Sequence, residues 1–164
     1  MTKIIKCIDH FNRIWTEDQF ILHWRADRML KKKALYPINL KEDTTYCLNK
    51  AVELCEKNNW ELIILYAYRL IKPYNEGDGT SQSFKKEIEN KAKFIFDKIE
   101  VDLLKSKGID YRFLSEVGFM ADRIKINIKT QDIDYLILCP SMQESLKNEI
   151  HEEFLGKASV QLVA

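Results

Sequence analysis

The sequence predicts an α/β fold: a doubly wound, five-stranded parallel sheet with helices on both faces, preceded by an N-terminal helical extension. Three observations predict it. Short apolar runs of strand type alternate with amphipathic helical stripes from residue 34 to the end. Two of those runs, WELIILYAY (60–68) and IDYLILC (133–139), are apolar almost throughout, as strands covered on both faces must be. Strict alternation of strand and helix requires parallel pairing through right-handed crossovers.

The elements follow in order. ALYPINL (34–40) reads as the first strand. Asp43 and Thr44 supply an N-cap, and TYCLNKAVELCEK places Cys47, Leu48, Ala51, Val52, Leu54 and Cys55 on one helical stripe. The second strand is 60–68. KPYNEGDGTSQ (72–82) holds a proline and two glycines and reads as a loop. A long helix is expected over 83–107, with Phe84, Ile88, Ala92, Ile95, Ile99 and Leu103 on its apolar face and Gly108 stopping it at C′. IDYRFLSEV (109–117) alternates as a third strand, and FMADRIKINIKTQD (119–132) reads as a helix. After the fourth strand, 133–139, LILCPSMQESLKNEI passes through a polar loop into a short helix over about 143–155, and ASVQLVA (158–164) is the fifth strand.

Residues 1–33 stand outside this repeat, so the chain divides into an extension, 1–33, and a domain, 34–164. KIIKCI offers an extra strand. Thr16 and Gln19 form a capping box that opens a helix to about Lys32. Trp15 and Trp24 require burial, either on the chain's own domain or on a second subunit.

Composition excludes several classes. A net charge of +1 creates no field that would recruit nucleic acid or an anionic membrane. No apolar run approaches the ~18 residues of a membrane span, and the N-terminus lacks the apolar core and cleavage site of a signal peptide. Cys7, Cys47, Cys55 and Cys139 are scattered without CxxC spacing, which fits reduced thiols in a cytoplasmic protein. The basic run from Arg25 to Lys33 is accounted for by cations at a helix C-terminus. His10, His23 and His151 do not form a metal-ligand set with the cysteines. Asp132 and Asp134 lie at the start of a strand, not at the carboxyl end where a receiver-type magnesium site needs its acids. There is no GxSxG and no HExxH, and Pro140 and Met142 occupy the positions where a nucleophile elbow around Ser141 needs glycine. The expectation is a protein that is not an enzyme, with neither cofactor nor metal.

The segment from Ala34 to Ala164 resembles the universal stress protein family. LYPINLKED is similar to the family's first strand and capped helix start. TTYCLNKAVELCEKNNWELIILYAY is similar to its first helix and second strand. GIDYRFLSEVGFMADRIKINIKTQDIDYLILCPS resembles its third strand, glycine turn, third helix and fourth strand. The resemblance implies sheet order 3-2-1-4-5, an adenine-nucleotide α-hydrolase-like architecture, and homodimers often joined through the last strand. Members that bind ATP carry G-x2-G-x9-G-[ST] after the fourth strand. Here the two first glycines align with Pro140 and Gln143, and the Gly-Ser pair with Glu153-Phe154. Pro140 has no N–H to donate, and Gln143 brings a side chain where phosphate would lie. Glutamates 144, 149, 152 and 153 against Lys147 alone make the segment acidic. The strand-1 position that contacts adenosine in the family falls on Asn39, which retains hydrogen-bonding capacity, and Ser141 is kept.

The expected function is therefore a cytoplasmic, non-enzymatic homodimer acting through an unidentified protein partner and not through ATP. Val160, Leu162 and Val163 are its candidate dimer interface. The alternative is a sensor of a nucleoside or AMP-like ligand in a cleft at Asn39, Tyr66, Ser141 and Gln143.

Overall fold

Five strands line up side by side in the order β3-β2-β1-β4-β5, all parallel. They are β1 (Lys33–Pro37), β2 (Glu61–Tyr68), β3 (Tyr111–Val117), β4 (Tyr135–Leu138) and β5 (Ser159–Leu162). The helices are α1 (Thr45–Asn58), α2 (Ser81–Ile99), α3 (Met120–Thr130) and α4 (Pro140–Leu146). The computed structural model describes residues 31–40, 45–70, 81–150 and 155–163. The expected extension helix and strand, Trp15, Trp24, the Asp43-Thr44 cap, most of the 72–82 loop, the three histidines and the Glu153-Phe154 pair lie outside the described residues. Lys32–Ala164 forms one unit. Among the described residues no helix is long and apolar enough to cross a membrane.

Side-chain alternation in the strands divides the core between the two faces. Ala34, Tyr36, Leu62, Ile64 and Ile137 point to the face covered by α1 and α2, where Leu48, Val52, Cys55, Phe96 and Leu104 meet them. Leu35, Ile63, Leu65, Leu136 and Leu138 point to the other face and pack on Ala121, Ile124 and Ile128 of α3 and Leu146 of α4. Every strand position from Leu62 to Leu65 is fully buried, which is why WELIILYAY shows no polar alternation. Phe96 and Phe113 stack at 4.0 Å and fix α2 over β3.

Several boundaries differ from the sequence reading. β1 ends at Pro37 rather than 40, although the Ile38 N–H still donates to Leu65 O at 2.9 Å. α2 closes in a π turn, Glu100–Leu104, where the Lys105 N–H donates to Glu100 O. The wider turn shifts the apolar face, so Leu104 is buried where Leu103 was expected. Phe96 takes the core place expected of Ile95, which is 39% exposed. Gly108 does not have a positive φ, because the helix has already ended. Instead Asn59 takes the left-handed conformation (φ 55) after α1, and Trp60 N–H returns to Cys55 O at 3.0 Å, a Schellman closure.

α4 is the largest revision. It begins at Pro140, not near 143. Cys139 is extended, and proline suits the first helical position because its missing N–H would have no partner there. The two aspartates are structural: Asp134 accepts the Lys33 backbone N–H at 2.9 Å, and Asp132, at φ 59, pairs with Lys157.

Candidate functional site

The chain reverses its direction of winding between β1 and β4. β1, β2 and β3 step one way across the sheet, and β4 and β5 step the other. At such a switch the crossovers leave opposite faces, and a crevice opens beyond the carboxyl ends of the strands. Here the crevice is a cleft of about 840 Å³.

Its floor is the carboxyl edge of the sheet. Asn39 and Leu40 follow β1, Tyr66, Ala67 and Tyr68 end β2, and Arg69 comes next. One wall is α2, through Ile88, Lys91, Ala92 and Ile95. Opposite stand the β3–α3 junction, Gly118 to Ala121, and the inner face of α4, where Ser141, Met142, Ser145 and Leu146 follow helical spacing with Glu149 beyond.

Gly118 makes the junction possible. Its φ is +146°, and a Cβ there would lie 2.5 Å from Arg123 Nε. Its N–H donates to Tyr68 O at 2.8 Å, which joins the ends of β2 and β3. The Tyr68 hydroxyl donates to Glu89 Oε1 at 2.8 Å and ties α2 to the rim. Burial, then Glu89, pushes the Tyr68 phenol above its ordinary pKa, and burial does the same for Tyr66. Both phenols therefore stay neutral hydrogen-bonding groups at physiological pH.

The charges at the cleft are two cations and one anion among the described residues lining it: Arg69, Lys91 and Glu149. Lys91 also pairs with Glu87 at 2.6 Å. The Arg69 guanidinium lies 5.4 Å from the ring centroid of Phe119, which is 59% exposed. Of the glutamates expected to make the 140–154 segment acidic, Glu152 and Glu153 lie outside the described residues. Glu144 pairs with Lys147 on the exposed side of α4, and only Glu149 lines the cavity among the described glutamates of that segment.

Of the four ligand residues expected from sequence, Asn39, Tyr66 and Ser141 are brought together at the cleft. Gln143 is exposed on α4 and is absent from the lining, since α4 starts three residues early and turns its Ser141–Met142–Ser145 face inward. Ser141 Oγ lies 3.3 Å from Cys139 Sγ. Sequence reasoning missed Arg69, Lys91 and Phe119. Arg69 carried a readable signal, the first cation beyond a buried strand. Lys91 carried none, because its place depends on how α2 rotates on the sheet. Among the described residues no cluster of three or more metal-ligating side chains occurs.

Of the candidate interface residues, Val160 and Leu162 are exposed on β5, at the edge of the sheet. Val163 is buried in the core on the α1–α2 face, because the strand period turns it to the opposite side from Leu162.

No protein-family model matches the sequence, and a search of curated proteins gives no match. Solved structures do match. A universal stress protein from Burkholderia pseudomallei superposes with a TM-score of 0.61 at 12% identity, over 80% of this chain and 95% of that one. One from Lactobacillus plantarum gives 0.60 at 13%, over 81% and 97%. A universal stress protein in complex with cAMP gives 0.52 at 14%, over 81% and 96%. The fold of this chain is the universal stress protein fold.

Proposed function

We propose that the chain is a cytoplasmic member of the universal stress protein family that binds a nucleoside monophosphate, linear or cyclic, in this cleft and signals its occupancy through protein contacts as a homodimer. The observation that carries the reading is the cleft itself, about 840 Å³ at the switch point and lined by Asn39, Tyr66 and Ser141. A cavity of that size suits a ligand of nucleotide dimensions. Asn39 brings an amide side chain, a type that pairs with a base or ribose, to the cleft. The apolar walls, Ile88, Ile95, Met120 and Met142, suit the faces of a base. Arg69 at the cleft offers a cation to a single phosphate, while Lys91 beside it is already paired with Glu87. The solved cAMP complex of the same fold supports the ligand class.

The same residues argue against ATP. A triphosphate is held by successive backbone N–H groups on a glycine-rich loop. Here β4 runs directly into α4 through Cys139 and Pro140, with no glycine between them. The reading is also non-enzymatic. Among the described residues, the hydrogen-bonding neighbour of the Ser141 hydroxyl is the Cys139 thiol, not a carboxylate base.

Thermal denaturation with millimolar AMP, cAMP and ATP tests this. A ligand at ~100 times its Kd adds ~2.7 kcal/mol and raises the midpoint by several degrees. The expectation is a rise with AMP or cAMP, a smaller one with ATP, and loss of the rise in Arg69→Ala. No rise with any of the three would overturn the ligand assignment and leave ligand-independent protein contacts as the function.

A further inference from the structure

Phe119 sets aside two local preferences at once. It is the N-cap of α3: its backbone is extended (φ −77°, ψ 143°), and its carbonyl accepts a hydrogen bond of the first helical turn, from the Arg123 N–H at 3.0 Å. That position favours Ser, Thr, Asp or Asn, whose side chain returns to the N–H groups of the first turn. Phenylalanine gives α3 no side-chain cap. It also leaves a large apolar ring 59% exposed at the cleft, while Met120, next in the chain, packs against the α3–α4 core. Folding favours neither choice, and residues of that kind mark functional positions. The ring has the Arg69 guanidinium 5.4 Å from its centroid. Two other cation–ring pairs, Tyr46–Lys50 and Phe94–Lys98, lie one turn apart on a single helix. Arg69 and Phe119 instead join the end of β2 to the β3–α3 junction, and both line the cleft.

We propose, resting on the reading of the cleft as a nucleoside monophosphate site, that Phe119 is a positioning residue: its ring holds the Arg69 guanidinium in place for the phosphate. An arginine has several rotatable bonds, and fixing them only as the ligand arrives would subtract from affinity. A guanidinium over an aromatic ring is attracted through the face of that ring. Its N–H donors lie in the guanidinium plane and stay available, so a phosphate can take two of them. Lys91, the other cation at the cleft, is engaged with Glu87 at 2.6 Å. The Arg69–Phe119 pair therefore decides which end of the cleft receives the phosphate. It is the end at β2 and β3, which leaves Asn39 and the α4 wall to the sugar and base.

A double-mutant cycle on the full chain tests this, read by calorimetric titration with whichever of AMP and cAMP binds wild type more tightly, and by thermal denaturation without ligand. Phe119→Ser should weaken binding about two- to fivefold, the loss of a cation–π contact at an exposed site. Phe119→Tyr, which keeps the ring, should bind as wild type does. In the Arg69→Ala background Phe119→Ser should have no further effect. Serine is a good N-cap, so Phe119→Ser without ligand should melt at the wild-type temperature or up to about 4 °C higher. Additive losses from the two substitutions would mean that the ring touches the ligand independently of Arg69, and would overturn the positioning role. So would a midpoint lowered by more than about 4 °C, which would make the ring part of the fold. Wild-type affinity in Phe119→Ser would defeat the positioning role alone. Failure of the wild-type chain to bind either nucleotide would defeat the nucleotide reading and the role of Phe119 with it.

Discussion

Tyr36→Phe should stabilise this protein, the opposite of what most core substitutions do. Tyr36 is fully buried on the α1–α2 face of β1, and its hydroxyl has no hydrogen-bond partner among the described residues. Burial, then the Cys139 and Cys47 thiols, hold the phenol well above its ordinary pKa, so the neutral form is the one folded into the core. A buried hydroxyl without a partner carries a desolvation cost of about 1–3 kcal/mol. Phenylalanine keeps the ring and its packing and leaves a void of a single oxygen, which returns part of that gain. The net expectation is about 1 kcal/mol of added stability. For a chain of this length that is ~3 °C in the melting midpoint. Scanning calorimetry and urea titration of the two proteins, with unchanged m-values, would measure it. A loss of 0.5 kcal/mol or more would refute the reasoning, since it would mean that the hydroxyl makes a favourable bond in the folded state.

The remaining predictions are these. Gly118→Ala should destabilise by about 1–3 kcal/mol in urea titration, since alanine at φ +146° is strained and its Cβ meets Arg123 Nε. Wild type should sediment as a dimer and Leu162→Lys as a monomer, with unfolding free energy within ~0.5 kcal/mol because the side chain is 58% exposed; a dimer that survives would place the interface away from β5. Folding stability should fall as pH rises above about 9. The Cys55 thiol is raised from 9.0 to about 12 in the folded chain, so its stabilisation is complete below 9 and is lost on the way to 12. Cys55→Ala should flatten that fall by up to ~1.4 kcal/mol per pH unit in urea titrations across the range.

The sheet was legible because its strands are buried on both faces. WELIILYAY and IDYLILC leave no other assignment for runs of that length, and the amphipathic stripes of α1 and α3 settle the alternation around them. Strand order is a different matter. Nothing in the local pattern says that β4 pairs with β1 rather than β3, and that order came from the family resemblance. Local errors had local causes. Proline after Cys139 reads equally as loop or as first helical residue, and only the extended Cys139 decides it. The π turn at Glu100–Leu104 cannot be seen by a constant helical period. The cleft was half legible. Asn39, Tyr66 and Ser141 follow from strand ends, which sequence locates well. Arg69, Lys91 and Phe119 depend on how α2 and the Gly118 turn are set on the sheet, and that is decided by contacts such as Tyr68–Glu89 and Phe96–Phe113.

The most direct measurement is calorimetric titration of the purified chain with AMP and cAMP, with ATP as the comparison. The account predicts saturable binding of AMP or cAMP at one ligand per chain, weaker binding of ATP, and at least tenfold weaker binding of the monophosphate to Arg69→Ala. Tight ATP binding with no preference for a monophosphate would contradict the reading of Pro140 and the cleft charge. No heat with any of the three at millimolar concentration would contradict nucleotide binding altogether.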